Sequence, residues 1–272
     1  MPAAARAVSL AGPARHRRVF LPLLMALVVL AWGVLWAWAR SPWGRYLEHG
    51  DWMASGPAAF LCRALPAGEW WLPGLLYALA WVLMTAAMML PSTLPLFDVF
   101  DRMTARRADH RRLMLLLGLG YMAAWGAFGL LAHGLHTALL SLLAKSPTLA
   151  WHGWLIGAAV IALAGAFQFS RLKHQCLDKC RTPLGFVIAR WHGPAPARQA
   201  FLLGAHHGLY CVGCCWALML LMFAFGTGSL GWMLVLAAVM AIEKNMPWGR
   251  RLSAPLGVAL LGWALVVVAA HA

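Results

Sequence analysis

Residues 201–225 read FLLGAHHGLYCVGCCWALMLLMFAF, 25 positions without one Asp, Glu, Lys or Arg. A helix rises about 1.5 Å per residue, so this stretch alone is long enough for the ~30 Å hydrocarbon core of a bilayer. Six further apolar segments flank it, at about 19–39, 74–96, 113–135, 153–170, 230–243 and 255–271, of which the last two are short. The whole chain of 272 residues is 62% hydrophobic and 11% charged, too little polar surface to cover a water-soluble body of this length. The expected fold is an all-α membrane protein, a polytopic bundle of about seven helices. A tail at 1–18 precedes a single membrane domain at 19–272, with an outer loop at 40–73 and an inner loop at 171–200.

The net charge of +14 would suggest nucleic acid in a soluble chain, but here the basic residues lie between apolar segments and orient them. With the N-terminus inside and the C-terminus outside, 18 of the 22 Lys and Arg fall on the cytoplasmic side. Only Arg40, Arg45, Arg63 and Lys145 remain outside, and Glu48, Asp51 and Glu69 share the first outer loop. Tryptophans favour the headgroup level, and Trp36, Trp38, Trp43, Trp70, Trp71, Trp151, Trp154 and Trp232 all fall near predicted outer ends. Arg15 to Arg18 followed by an apolar run ending in Ala37-Trp38-Ala39 resembles a signal-peptide pattern. That run exceeds the 7–15 residues usual for a cleaved signal, so an uncleaved anchor is expected.

Five of the six cysteines fall between Cys176 and Cys215, which argues for a site rather than disulfide staples. In the inner loop, His174-Gln175-Cys176-Leu177-Asp178-Lys179-Cys180 would, if helical, set Cys176 and Cys180 one turn apart on one face. Both sulfurs are soft ligands as thiolates, His174 would complete a set of three, and Lys173, Lys179 and Arg181 would favour the deprotonated thiols. In the fifth span, His206 and His207 lie shallower than Cys211, Cys214 and Cys215. His207, Cys211, Cys214 and Cys215 follow i, i+4, i+7, i+8, so they share one helical stripe, and Gly208 and Gly213 admit a close neighbour.

Met84, Met88 and Met89 of the second span, which runs the other way, come to depths that overlap those of Cys211 and His207. Thioethers suit Cu(I), while methionine also serves as ordinary filling between helices. Glu243, at the inner end of the sixth span, is expected either as a hard ligand or proton acceptor, or as an acid neutralised by the adjacent Lys244. On the outer side His133, His136 and His152, and His49 with Asp51, read as solvated surface groups, and Cys62 is given no role.

Four separated motifs occur in order: Ala87-Met88-Met89-Leu90-Pro91-Ser92; His174-x-Cys176-x3-Cys180-Arg181-x-Pro183; Gly208-Leu209-Tyr210-Cys211-Val212-Gly213-Cys214-Cys215-Trp216; and Glu243-Lys244. In this combination the chain, from about residue 74 to its end, resembles a bacterial family of predicted metal-binding integral membrane proteins that carries a domain of unknown function. The resemblance implies a bacterial inner-membrane location and a metal held by the cysteines and histidines, and it supplies no reaction.

The expected function is to bind a soft transition metal, copper(I) before zinc, for handling, delivery or metalloprotein assembly. The expected partners are the lipid bilayer, the metal ion and a metal chaperone or recipient metalloprotein. No phosphate-binding loop is present, which argues against an ATP-driven pump. The rival is a membrane thiol-disulfide oxidoreductase using Cys211-Val212-Gly213-Cys214 and the Cys176/Cys180 pair. A third reading makes the chain a scaffold subunit with structural thiols.

Overall fold

A computed structural model describes residues 14–40, 71–145, 153–192, 194–225 and 229–271. His49, Asp51, Cys62 and His152, with most of the outer loop and of the N-terminal tail, lie outside the described residues. The described residues are helical almost throughout and contain no strand. In chain order they form α1 (Ala14–Ala39), α2 (Trp71–Thr104), α3 (His110–Lys145), α4 (Gly153–Phe167), α5 (Arg171–Arg181), α6 (Pro183–Ile188), α7 (Pro196–Phe225), α8 (Leu230–Asn245) and, after a 3-10 turn, α9 (Ser253–His271).

Each of the seven expected apolar segments is helical. Four stretches, Ala78–Thr104, His110–Leu139, Pro196–Met222 and Gly249–His271, are long and apolar enough to cross a membrane. The chain is thus an all-α bundle of membrane-spanning character. A fifth crossing is added if α4 and α5, bent by 63° at their junction, are counted as one. At 16 residues α8 falls short of a full span. Large apolar side chains such as Val258, Leu265 and Val266 of α9 are exposed, an outer surface suited to lipid rather than water.

The segment expected as an inner loop at 171–200 is instead two helices and the start of a third. The reason is local. After the turn at Gln168 and Phe169, Ser170 caps α5 by accepting a hydrogen bond from the Lys173 amide at 3.1 Å. Lys173, Cys176, Leu177 and Cys180 then recur at i, i+3, i+4, i+7, giving α5 a single face to bury against α7. Pro183 opens α6, where its missing amide costs nothing.

The most extensive helix pairing is between α3 and α7. It is a backbone contact made possible by glycine. A Cβ on Gly204 would fall 1.9 Å from the Leu117 carbonyl oxygen, and one on Gly120 would fall 2.0 Å from that of Phe201. Small residues facing each other let helix backbones touch where lipid supplies no hydrophobic force between them. One turn further along, this approach sets Tyr121 of α3 against α7.

The α5 helix is tied to α8 by a buried ion pair. Lys173 Nζ donates to Glu243 Oε1 and Oε2 at 2.7 and 2.9 Å and also to the Gln168 side-chain oxygen, while Ser253 Oγ donates to Glu243 Oε1 at 2.7 Å. Arg181 at the end of α5 donates to the carbonyls of Glu243, Met246 and Pro247, satisfying the C-terminus of α8. An exposed pair, Arg250 with Asp178 at 3.2 Å, adds little to this.

Two outcomes follow for thermal unfolding in detergent. Gly204→Ala should destabilise by about 1–3 kcal/mol because the clash is with backbone, whereas Gly262→Ala, with open space around it, should be neutral or mildly stabilising. Glu243→Gln, which leaves Lys173 buried without its anion, should cost about 3–5 kcal/mol, and Lys173→Met in the same chain should restore much of the loss.

Candidate metal centre

The stripe expected on the fifth span exists. His207, Cys211, Cys214 and Cys215 of α7 all face the interior, the three cysteines no more than 1% exposed. The thiols of Cys214 and Cys215 donate to the Cys211 carbonyl at 3.1 and 2.9 Å, a local bond open to short side chains one turn along a helix. Cys211 Sγ points elsewhere, toward the Tyr121 hydroxyl at 3.1 Å. All five described cysteines are free thiols.

Cys176 and Cys180 join this group rather than standing apart in a loop. A Cβ on Gly213 would come within 2.7 Å of Cys176 Sγ, so the glycine is the notch that admits α5 at this level of α7. Cys180 is buried and close enough to Cys211 and Cys214 for the three thiols to interact. The two cysteine clusters, separate by sequence position, are one cluster in space. The bend after α4 folds α5 back along α7, which is what brings the two together.

The residue that the sequence reading missed here is Lys244. It is 5% exposed, and its Nζ lies 3.0 Å from Cys211 Sγ, 3.3 Å from Ser92 Oγ, 3.7 Å from Met89 Sδ and 3.9 Å from Cys215 Sγ. Lys173, Lys179 and Arg181, expected to favour the thiolates, do not do so: Lys173 is on Glu243, Lys179 is exposed and Arg181 is on backbone carbonyls. Nor does Lys244 neutralise Glu243. Adjacent residues on a helix point about 100° apart, so Glu243 turns to α5 while Lys244 turns to α2 and α7.

The remaining candidates divide. His207 is buried against the rings of Phe186 and Tyr121, and its Nδ1 has no hydrogen-bond partner among the described residues. His174 Nδ1 is likewise buried and unpartnered. A buried ring nitrogen without a partner is uncommon, and as neutral imidazole it retains the capacity to take one. His206 faces outward and is exposed. Met84 and Met88 are buried in the helix core, and Met89 is the methionine whose sulfur reaches the group around Lys244. Glu243 is held by Lys173 and Ser253.

Among the described residues no group of three or more His, Cys, Asp or Glu side chains is placed to hold a metal ion as it stands. What converges is an open group of sulfurs, with Cys214 and Cys215 turned to a carbonyl and Cys211 shared between Tyr121 and Lys244. Sulfur is a soft donor once deprotonated, and Cys214 and Cys215 are held in their present orientation by weak thiol hydrogen bonds. Tyr121 and Ser92 were also missed as contacts of the site. Ser92 lies within a motif already singled out, but Tyr121 gives no sequence signal beyond being a polar tip in an apolar span.

No curated protein and no solved structure matches the chain. A family model described as copper chaperone, PpoB2, matches residues 78–267, a span that takes in α2 through most of α9 and every thiol described above. That match extends over well more than half of the sequence, and the chain belongs to the PpoB2 family of copper chaperones.

Proposed function

We propose that this protein is a multi-pass protein of the bacterial inner membrane that takes Cu(I) as cargo on Cys180, Cys211, Cys214 and Cys215 and passes it to a recipient metalloprotein. The single observation that carries the reading is the convergence of thiols from α5 and α7 beside Met89 and the unpartnered His207. Thiolate and thioether sulfur prefer Cu(I) among the common biological ions, and Zn(II) is the competing cargo. Cys176, against Gly213, stands beside this group and serves the passage of the ion to it, with His174 two residues earlier on α5 as a second candidate for that passage. With the N-terminus inside, crossings by α1 and α2 put the Arg-rich turn between α2 and α3 in the cytoplasm.

The test is Cu(I) affinity of the detergent-purified chain under reducing conditions, measured by competition with a chromophoric Cu(I) chelator. Outer-shell partners of a metal cost 10–100-fold when removed, so loss of a ligand should cost more. Cys211→Ser is expected to weaken Cu(I) by more than about tenfold and Cys62→Ser to leave it unchanged. A parent protein that holds no copper and forms a reversible Cys211–Cys214 disulfide overturns the proposal in favour of thiol exchange. For topology, Arg106→Cys places a thiol at an exposed position of the α2–α3 turn. An impermeant maleimide should label it only after the cells are permeabilised, and labelling in intact cells would reverse the orientation.

A further inference from the structure

The charges buried around the thiols do not balance. Lys173 and Glu243 cancel as a pair, Arg181 is spent on carbonyls, and no carboxylate is paired with Lys244 among the described residues. Its ammonium is surrounded by Cys211, Cys215, Met89 and Ser92. The Ser92 hydroxyl donates its own hydrogen to the Met89 carbonyl at 2.8 Å, so toward Lys244 it offers only a lone pair. A buried cation without a counter-charge is costly, and the groups that face this one can supply an anion only as thiolate or phenolate.

We propose that Lys244 is a specificity-determining residue that makes the thiol group select Cu(I) over Zn(II). The proposal rests on the copper-cargo reading and deepens it. Cu(I) held between two of these cysteines as thiolates, the other two remaining thiols, is a monoanion, and the ammonium beside Cys211 and Cys215 renders the assembly neutral. Zn(II) on the same two thiolates is already neutral, and Lys244 then leaves a buried positive charge unanswered. Binding exchanges thiol protons for the metal, with no change in oxidation state. Charge discrimination of this kind is weak in water, but at contact distance in a low-dielectric interior it is large enough to order the two ions. Lys244 therefore acts through the sulfurs and is not itself a ligand.

The experiment compares the parent with Lys244→Met and Lys244→Arg, each as the full chain in detergent under reducing conditions. Cu(I) and Zn(II) affinities are read by competition with a chromophoric chelator for each ion. Lys244→Met should lower the Cu(I)-to-Zn(II) affinity ratio by at least about tenfold, chiefly by weakening Cu(I), while Lys244→Arg, which keeps the charge, should hold it within about threefold of the parent. Thermal unfolding of the metal-free proteins monitors folding. If Lys244→Met does not fold, Lys244→Gln, which keeps a donor to Cys211 without the charge, gives the same comparison. An unchanged ratio, or equal loss of both ions, overturns the proposal and leaves Lys244 a structural residue. A parent with no affinity for Cu(I) overturns instead the copper reading on which the proposal rests.

Discussion

The ion pair between Lys173 and Glu243 is the contact on which the thiol group depends. It is buried on both sides, and it joins the short helix carrying Cys176 and Cys180 to the helix carrying Lys244. Isolated charges are too expensive in such surroundings, so each partner fixes the other, and Gln168 and Ser253 take up the remaining hydrogen bonds. The price in desolvation is met by geometry rather than by burial of apolar area. Without the pair, α5 would carry an uncompensated charge on its buried face, and the Arg181 contacts would be left to tie it to the end of α8.

A second constraint acts on the other side of α7. Where Gly120 and Gly204 bring α3 and α7 into backbone contact, Tyr121 is carried to Cys211 and its hydroxyl finds the sulfur. The helix is thus set from two directions, by glycines against α3 and by the Gly213 notch against α5. Its cysteine stripe faces the seam between these neighbours. The family match to copper chaperones spans both constraints and the thiols between them.

Much of this was legible in the sequence. The apolar segments at 74–96, 113–135, 201–225 and 255–271 are helices long enough to cross, because hydrophobicity over some twenty residues is a signal that needs no tertiary information. The stripe of His207, Cys211, Cys214 and Cys215 follows from helical spacing alone. Residues 171–181 were harder. Their polar character suggested a loop, yet a helix with one buried face can afford charged residues on the other and can bury Lys173 if an acid from elsewhere in the chain meets it. That acid is 70 residues away, a distance no local pattern reports. The role of Lys244 was hidden for a related reason: read along the chain it neighbours Glu243, whereas in space the two point to different partners.

The opposed directions of Glu243 and Lys244 also encode the rotational setting of α8. Turning that helix by one residue, about 100°, would in one sense bring the carboxylate toward the thiols and in the other bring the ammonium toward Lys173. Either rotation replaces attraction by repulsion at one contact and leaves an unpaired charge at the other, so a wrong register is penalised twice by two consecutive residues. The same arrangement restrains motion. Rotation of α8 about its own axis breaks both contacts together, whereas a shift of α5 and α8 as one body keeps the ion pair whole.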